Sequence, residues 1–123
     1  MLVRVVDASA LGALVFAEPK AEEIATALAD AAMVAPALIW FELASICLGK
    51  LKAHPAQEKQ ILKAFDLARR LAIQIVEVEH LAVVELARKT GLTTYDASYL
   101  WLARHLPGDL VTLDRRMQAA AVP

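Results

Sequence analysis

Apolar residues along the chain fall into two patterns. Four short runs have strand character: residues 2–6, 33–35, 73–78 and 109–113, each rich in β-branched or aliphatic side chains and bounded by Asp, Pro or Gly. Between them the apolar positions recur at helical spacing. Asp7-Ala-Ser opens a helix over residues 10–17 that Glu18-Pro19 closes, and residues 21–32 place Ile24, Leu28, Ala31 and Ala32 on one face of a second helix. Further helices are predicted over residues 38–52, 55–71 (Ile61, Leu62, Phe65 and Ala68 inward), 79–90 and 95–106. Gly91 suits the end of the fifth of these, Thr93 or Thr94 caps the sixth, and Pro107-Gly108 turns the chain into the last strand. A short basic helical segment follows Asp114. Short apolar strands separated by helices require crossover connections, hence a parallel sheet covered on both faces. Such sheets bind ligands beyond the carboxyl ends of their strands, where the winding reverses.

Composition narrows this to one folded domain over residues 1–123. At 59% hydrophobic and 22% charged, the chain has material for a core and is unlike a disordered tail. Four glycines and five prolines leave no room for a long linker, and no internal repeat is visible. The single cysteine, Cys47, makes neither an internal disulfide nor a thiolate metal site, which is compatible with a cytoplasmic location. Arg4 and Asp7 interrupt the N-terminal apolar run before it reaches the length of a secretory signal. Residues 31–48 are interrupted only by Pro36, Glu42 and Ser45, close to a membrane-spanning length. A mid-span Glu would cost roughly 2–3 kcal/mol to insert, however, and Pro36 breaks the helix. A buried strand, a proline turn and a buried helix fit the same letters, and no membrane association is expected.

Thirteen basic and fourteen acidic residues give a net charge of −1. If four acids gather in one pocket, the ten others face thirteen bases, so the remaining surface is positive and a polyanionic substrate stays compatible with the sequence.

Four acids draw attention: Asp7, Glu42, Asp96 and Asp114. Asp7 and Asp114 follow strands directly, where they suit either helix capping or a site at the sheet edge; Asp96 suits the first turn of a helix on dipole grounds. Glu42 has no such local use. It lies in Leu38-Ile-Trp-Phe-Glu-Leu-Ala-Ser-Ile-Cys-Leu, with Leu38, Ile39, Ser45 and Ile46 at the i±3 and i±4 positions and no base among them. A helix apolar nearly all round is expected to be buried, and an unpaired buried carboxylate costs several kcal/mol. Either a distant arginine compensates for Glu42, or it faces a cavity shared with other carboxylates and a divalent cation. Mg²⁺ or Mn²⁺ takes oxygen ligands, keeps several waters, and is held by a few carboxylates together with phosphate oxygens. Competing chemistry is weak: His54, His80 and His105 lack paired spacing, Cys47 sits among apolar residues, and the four glycines are too scattered for a phosphate-binding loop.

The residues resemble a known family over nearly the whole chain: the PIN-domain ribonucleases, in particular the toxins of VapBC-type toxin–antitoxin pairs. Val5-Val-Asp-Ala-Ser-Ala-Leu resembles the opening motif, an Asp ending the first strand with a hydroxyl residue two positions on. Glu42 stands at the start of the third helix like the second acid, Thr93-Thr-Tyr-Asp-Ala-Ser-Tyr-Leu resembles the third motif, and Leu110-Val-Thr-Leu-Asp-Arg-Arg-Met the closing one. Each motif alone is weak; four in order at these separations are specific. The resemblance implies an α/β fold, a three-layer α/β/α sandwich with a short-stranded parallel sheet of four to five strands. It also implies Mg²⁺- or Mn²⁺-dependent cleavage of RNA by an acidic cluster of Asp7, Glu42, Asp96 and Asp114. Asp7 and Asp96 would bind metal directly; Glu42 and Asp114 would act through water or a second ion. Ser9 and Thr112 would hydrogen-bond the carboxylates or metal-bound water, with helix capping and β-propensity as their plainer explanations. A cognate antitoxin protein and a homodimer are the implied partners.

For RNA contact, Arg115 and Arg116 are favoured because they adjoin Asp114, whereas Lys50, Lys52, Lys59, Lys63, Arg69 and Arg70 read chiefly as a solvated helix face. Trp40, Phe41, Tyr95, Tyr99 and Trp101 fall in apolar helices and are expected in the core or a dimer interface. A non-catalytic PIN-like binding module and a metal-dependent phosphohydrolase acting on DNA or nucleotides remain the alternatives.

Overall fold

The strand at the centre of the sheet is the first in the chain. In the computed structural model, which describes residues 2–122, β1 (Leu2–Val6) pairs in parallel with β2 (Ala31–Ala35) on one side and β4 (Gly108–Val111) on the other, while β3 (Ile73–Ile75) extends the sheet beyond β2. The order β3-β2-β1-β4 means that the chain winds outward twice and then returns to the far side of β1. Its switch point therefore lies between β1 and β4, the crevice in which open α/β sheets place ligands.

Seven helices flank the sheet: α1 (Ala8–Val15), α2 (Ala21–Leu28), α3 (Leu38–Ala53), α4 (Glu58–Ala68), α5 (His80–Thr90), α6 (Thr94–His105) and α7 (Arg115–Ala121). Right-handed crossovers put the helices before and after the reversal on opposite faces. In agreement, α1 packs on α2, α3 and α4, whereas α6 packs on β1, β4, α5 and α7. Val5, Val6 and Ala35 of the inner strands, Leu11 of α1, Ile39 and Leu43 of α3, and Leu100 and Leu102 of α6 are almost wholly withdrawn from water. Burial of such apolar side chains is the main drive for folding.

Several expectations need correction. Residues 21–32 do not form one helix: α2 ends at Leu28, Asp30 turns the chain with a left-handed φ of 58°, and Ala31 and Ala32 enter β2 opposite Leu2 and Val3. Alanine favours the helix, but by well under about 1 kcal/mol per residue, and the ladder of backbone hydrogen bonds to β1 overrides that preference. Residues 55–57 form a 3-10 turn, and α4 starts only at Glu58. Leu62 on α4 is half exposed rather than inward. The third strand stops at Ile75, short of Val78. Most consequential is α3. Only Ile39, Leu43 and Cys47 are buried, and its outer side carries Phe41 (77% exposed) and Leu48 (52% exposed), so a helix apolar all round is covered on one face alone.

Gly108 is fixed by the approach of β4 to β1. A Cβ there would stand 2.9 Å from the carbonyl carbon of Val3 and nearer still to its oxygen. Gly108→Ala is thus expected to destabilise by about 1–3 kcal/mol, as overpacking does. A denaturant-unfolding midpoint unchanged by the substitution would contradict the close pairing of these strands.

Candidate active site

Asp7 occupies the first position after β1, and its carboxylate joins three parts of the chain. Oδ1 accepts the Ala10 backbone N–H (3.0 Å), capping α1, and the Ser9 hydroxyl (2.7 Å); Oδ2 accepts the hydroxyl of Thr112, just beyond β4. Ser9 Oγ in turn accepts the Leu113 N–H, and Thr112 Oγ1 accepts the Asp114 N–H, both at 3.0 Å. The network stitches the end of β1 to the segment after β4 across the switch point. It also delivers Asp114, whose own Oδ1 caps α7 through the Met117 N–H (3.0 Å). Capping and site placement are not rivals here: Asp7 and Asp114 do the first while standing in the second. Ser9 does not cap α1, because Asp7 does.

Glu42 projects from the first turns of α3, half-buried. The tyrosine hydroxyl of Tyr99, itself buried on α6, donates to Glu42 Oε1 at 2.5 Å. Asp96 stands one helical turn before Tyr99 on the same helix, whose N-cap is Thr93 through its hydroxyl. Together Asp7, Glu42, Asp96 and Asp114 line one cleft of about 580 Å³, with Ser9, Phe41 and Tyr95 also on its walls. Among the described residues the ion pairs are Arg4–Asp109 and Lys50–Glu18, so no arginine or lysine forms an ion pair with these four acids.

Electrostatics follow from that crowding. Burial holds the Asp7 carboxyl above the usual range, against the pull of Thr112, Ala10 and Ser9, and the Asp96 charge adds to the rise. Glu42 is raised by burial and by Asp96 and Asp7, with the Tyr99 hydrogen bond opposing. Asp96 is raised by burial and by Asp114, with Thr93 and the Arg116 charge opposing. The Tyr99 hydroxyl is pushed well up by burial and by Glu42, which keeps it a proton donor.

Other expected contacts are placed differently. Arg115 and Arg116 are exposed and neither lines the cleft; Arg116 donates instead to the Gly91 carbonyl (2.8 Å), at the left-handed residue (φ 76°) that ends α5. Lys50 pairs with Glu18 and lies over the Phe16 ring. Trp40 and Trp101 are half-buried, Trp101 stacked on His105, and only Tyr99 of the five aromatics is a core residue. Phe41 and Tyr95 (64% exposed) stand at the mouth of the cleft instead. The bond from Tyr99 to Glu42 is not foreseen by the core placement that the sequence suggests for this ring. Its signal was the place of Tyr99 three residues after Asp96, which puts both on one face of α6.

The comparisons with known proteins agree with this architecture. Residues 4–123 match the family described as PIN domain. The chain belongs to the PIN domain family. PIN domains are typically metal-dependent nucleases. A solved structure, described as PAE2754 from Pyrobaculum aerophilum, superposes with a TM-score of 0.77 at 24% sequence identity, over 97% of this chain and 84% of the other; at that identity it shows a shared fold. None of the curated protein sequences matches the chain. No helix among the described residues is long and apolar enough to cross a membrane.

A raised folded-state pKa means that the ionised form is disfavoured by folding. The stability such a group contributes is present below its unfolded value, 3.8 for an aspartate, and lost as pH rises through the raised one. In metal-free protein, Asp96→Asn should therefore raise the melting temperature at neutral pH, and the gain should shrink on acidification toward 3.8. A lower melting temperature at neutral pH would mean that Asp96 serves the helix terminus more than it suffers from its neighbours.

Proposed function

We propose that this PIN domain is a Mg²⁺- or Mn²⁺-dependent endoribonuclease, acting in the cytoplasm as the toxin of a toxin–antitoxin pair. The observation that carries the reading is the gathering of four carboxylates, from four separate stretches of sequence, in one cleft without a cationic partner. A divalent cation supplies the compensation that the protein withholds. The donor set suits such an ion, being carboxylate oxygen throughout. Among the described residues no three Asp, Glu, His or Cys side chains stand close enough to cage an ion by themselves. That fits a hard cation held by one or two carboxylates with water and substrate phosphate completing its shell.

In this reading Asp7 and Asp96 hold the metal, and Glu42 and Asp114 act through water. Bound metal would polarise the phosphoryl oxygen and acidify a water. Three hydrogen bonds favour the ionised form of Asp7 against the effect of its burial and hold the carboxylate in one rotamer. Tyr99 pins Glu42 Oε1, leaving Oε2 to orient the attacking water and take its proton. The raised pKa of Glu42 brings it nearer the neutral range in which a general base works best. The water oxygen bonds to phosphorus, the ester P–O bond breaks, and the leaving oxygen takes up a proton.

Purified protein should cleave single-stranded RNA with added Mn²⁺ and not with chelator, and Asp96→Asn should reduce the rate at least a hundredfold, roughly the loss seen when one electrostatic element of a site is removed. Mn²⁺ at a hundred times its Kd should stabilise the wild type by about 2.7 kcal/mol in a thermal melt. RNA binding without cleavage would favour a non-catalytic module, and cleavage of DNA or nucleotides alone a different phosphohydrolase.

The toxin role is supported by unpartnered apolar side chains on the mutually packed helices α3 and α4. Phe41, Leu48, Leu62 and Leu67 are each about half exposed or more, a surface suited to a second copy of the chain and to an antitoxin segment. Induced expression should arrest growth for the wild type but not for Asp96→Asn, and light scattering should return the mass of a dimer. Growth unaffected by active enzyme removes the toxin role, and a monomer mass removes the dimer.

A further inference from the structure

Beside the acid cleft lies a second cavity, of about 490 Å³, that the catalytic reading does not use. It opens beyond the carboxyl ends of β2 and β3: Pro36 follows β2, Val76 and Val78 follow β3, and Val83 of α5 closes the far side. Two residues, Leu38 and Tyr95, line both cavities, so a single wall separates them. Tyr95 directly precedes Asp96 and is 64% exposed; Phe41 directly precedes Glu42 and is 77% exposed. Each of these cleft carboxylates is thus flanked by an aromatic ring standing in water, an unfavourable position for so much apolar surface unless something covers it.

Among the described residues, neither cavity is lined by a lysine or an arginine. Phosphate contacts, the usual source of affinity for a nucleic acid, are therefore lacking on these walls. What the walls offer a single strand is faces on which to stack, a sequence-tolerant attraction open to every base. At the rim, Glu77 and His80 are exposed and available to the polar edge of a ring. An unstacked nucleobase is flat and apolar on both faces with hydrogen-bonding groups on its edge, and this slot has that character.

We infer that the cavity behind Tyr95 is a nucleobase subsite, which takes an unstacked base of single-stranded RNA next to the phosphodiester held at the carboxylates, with Tyr95 as its stacking face. The inference rests on the ribonuclease reading and adds to it the form of substrate, a single strand gripped by its bases. Affinity should accordingly fall less steeply with salt than for a protein that binds through phosphates.

The test measures Mn²⁺-dependent cleavage of single-stranded oligoribonucleotides, intact or carrying one abasic nucleotide beside the cleaved bond, by wild type, Tyr95→Ala and Tyr95→Phe. Loss of one stack should raise KM roughly tenfold in Tyr95→Ala, with kcat little changed and the Mn²⁺-induced melting shift preserved; Tyr95→Phe should restore KM. The abasic substrate should suffer the same loss with wild type and no further loss with Tyr95→Ala, and the wild-type comparison stands even if a variant folds poorly. Wild type that cleaves normally, with KM indifferent to both changes, overturns the subsite alone and leaves these rings to a protein partner. Wild type that cleaves none of the oligoribonucleotides overturns the nuclease reading and the subsite with it.

Discussion

The carboxylate of Asp7 is the point at which this fold and its cleft become one structure. It caps α1 through the Ala10 N–H, and through Ser9 and Thr112 it ties the end of β1 to the chain leaving β4. β1 and β4 are neighbours only because the chain reverses its winding after β3, so this link spans about a hundred residues of sequence. Remove the link and Asp114 loses its fixed place relative to Asp7, along with the crevice between their strands. The hydrogen bonds offset much of the penalty for burying an ionisable group, but not all of it, since the Asp7 carboxyl still sits above its ordinary range.

What remains uncompensated is shared by Glu42 and Asp96, whose proton affinities are raised by burial and by neighbouring carboxylates, Asp96 and Asp7 for Glu42 and Asp114 for Asp96. A protein optimised for stability alone would place an ion-paired arginine among them. Its absence is a local conflict of the sort that functional sites carry, and the rest of the core bears the cost. The chain instead spends neutral donors, Tyr99 for Glu42 and two hydroxyls for Asp7, which orient the carboxylates without cancelling their charge. Orientation with the charge retained is what recruitment of a cation demands. In a PIN domain, a fold generally associated with nucleases, this electrostatic strain is what the proposed metal-dependent activity would use.

The surface around the cleft continues the same division. Rings stand in water at its mouth, and the outer side of α3 shows Phe41 and Leu48 where a monomer would ordinarily show charge. Of the bases, Lys50 is bound to Glu18 and Arg116 to the end of α5. Apolar and aromatic faces thus border the acid cleft.

Much of this was legible in the sequence. Strand-like runs ending in Asp7 and shortly before Asp114 are local patterns, and the placement of Glu42 without a base at helical spacing could be read from its neighbours. Asp96 stood out less by pattern than by its resemblance to a family motif. The parallel sheet follows from alternation of strands and helices, since two parallel neighbours must be joined by a crossover. Other features were beyond reach because they depend on what packs against what. Ala31 and Ala32 are strand residues because β1 offers them a ladder; α3 is half bare because nothing among the described residues covers its outer face; and Tyr99 meets Glu42 across two helices distant in sequence. Periodicity and propensity act over a few residues and so determined the elements and the candidate acids. Which side chains share a cleft, and which rings are left in water, was decided only by tertiary packing, because burial and charge coupling depend on distance in space.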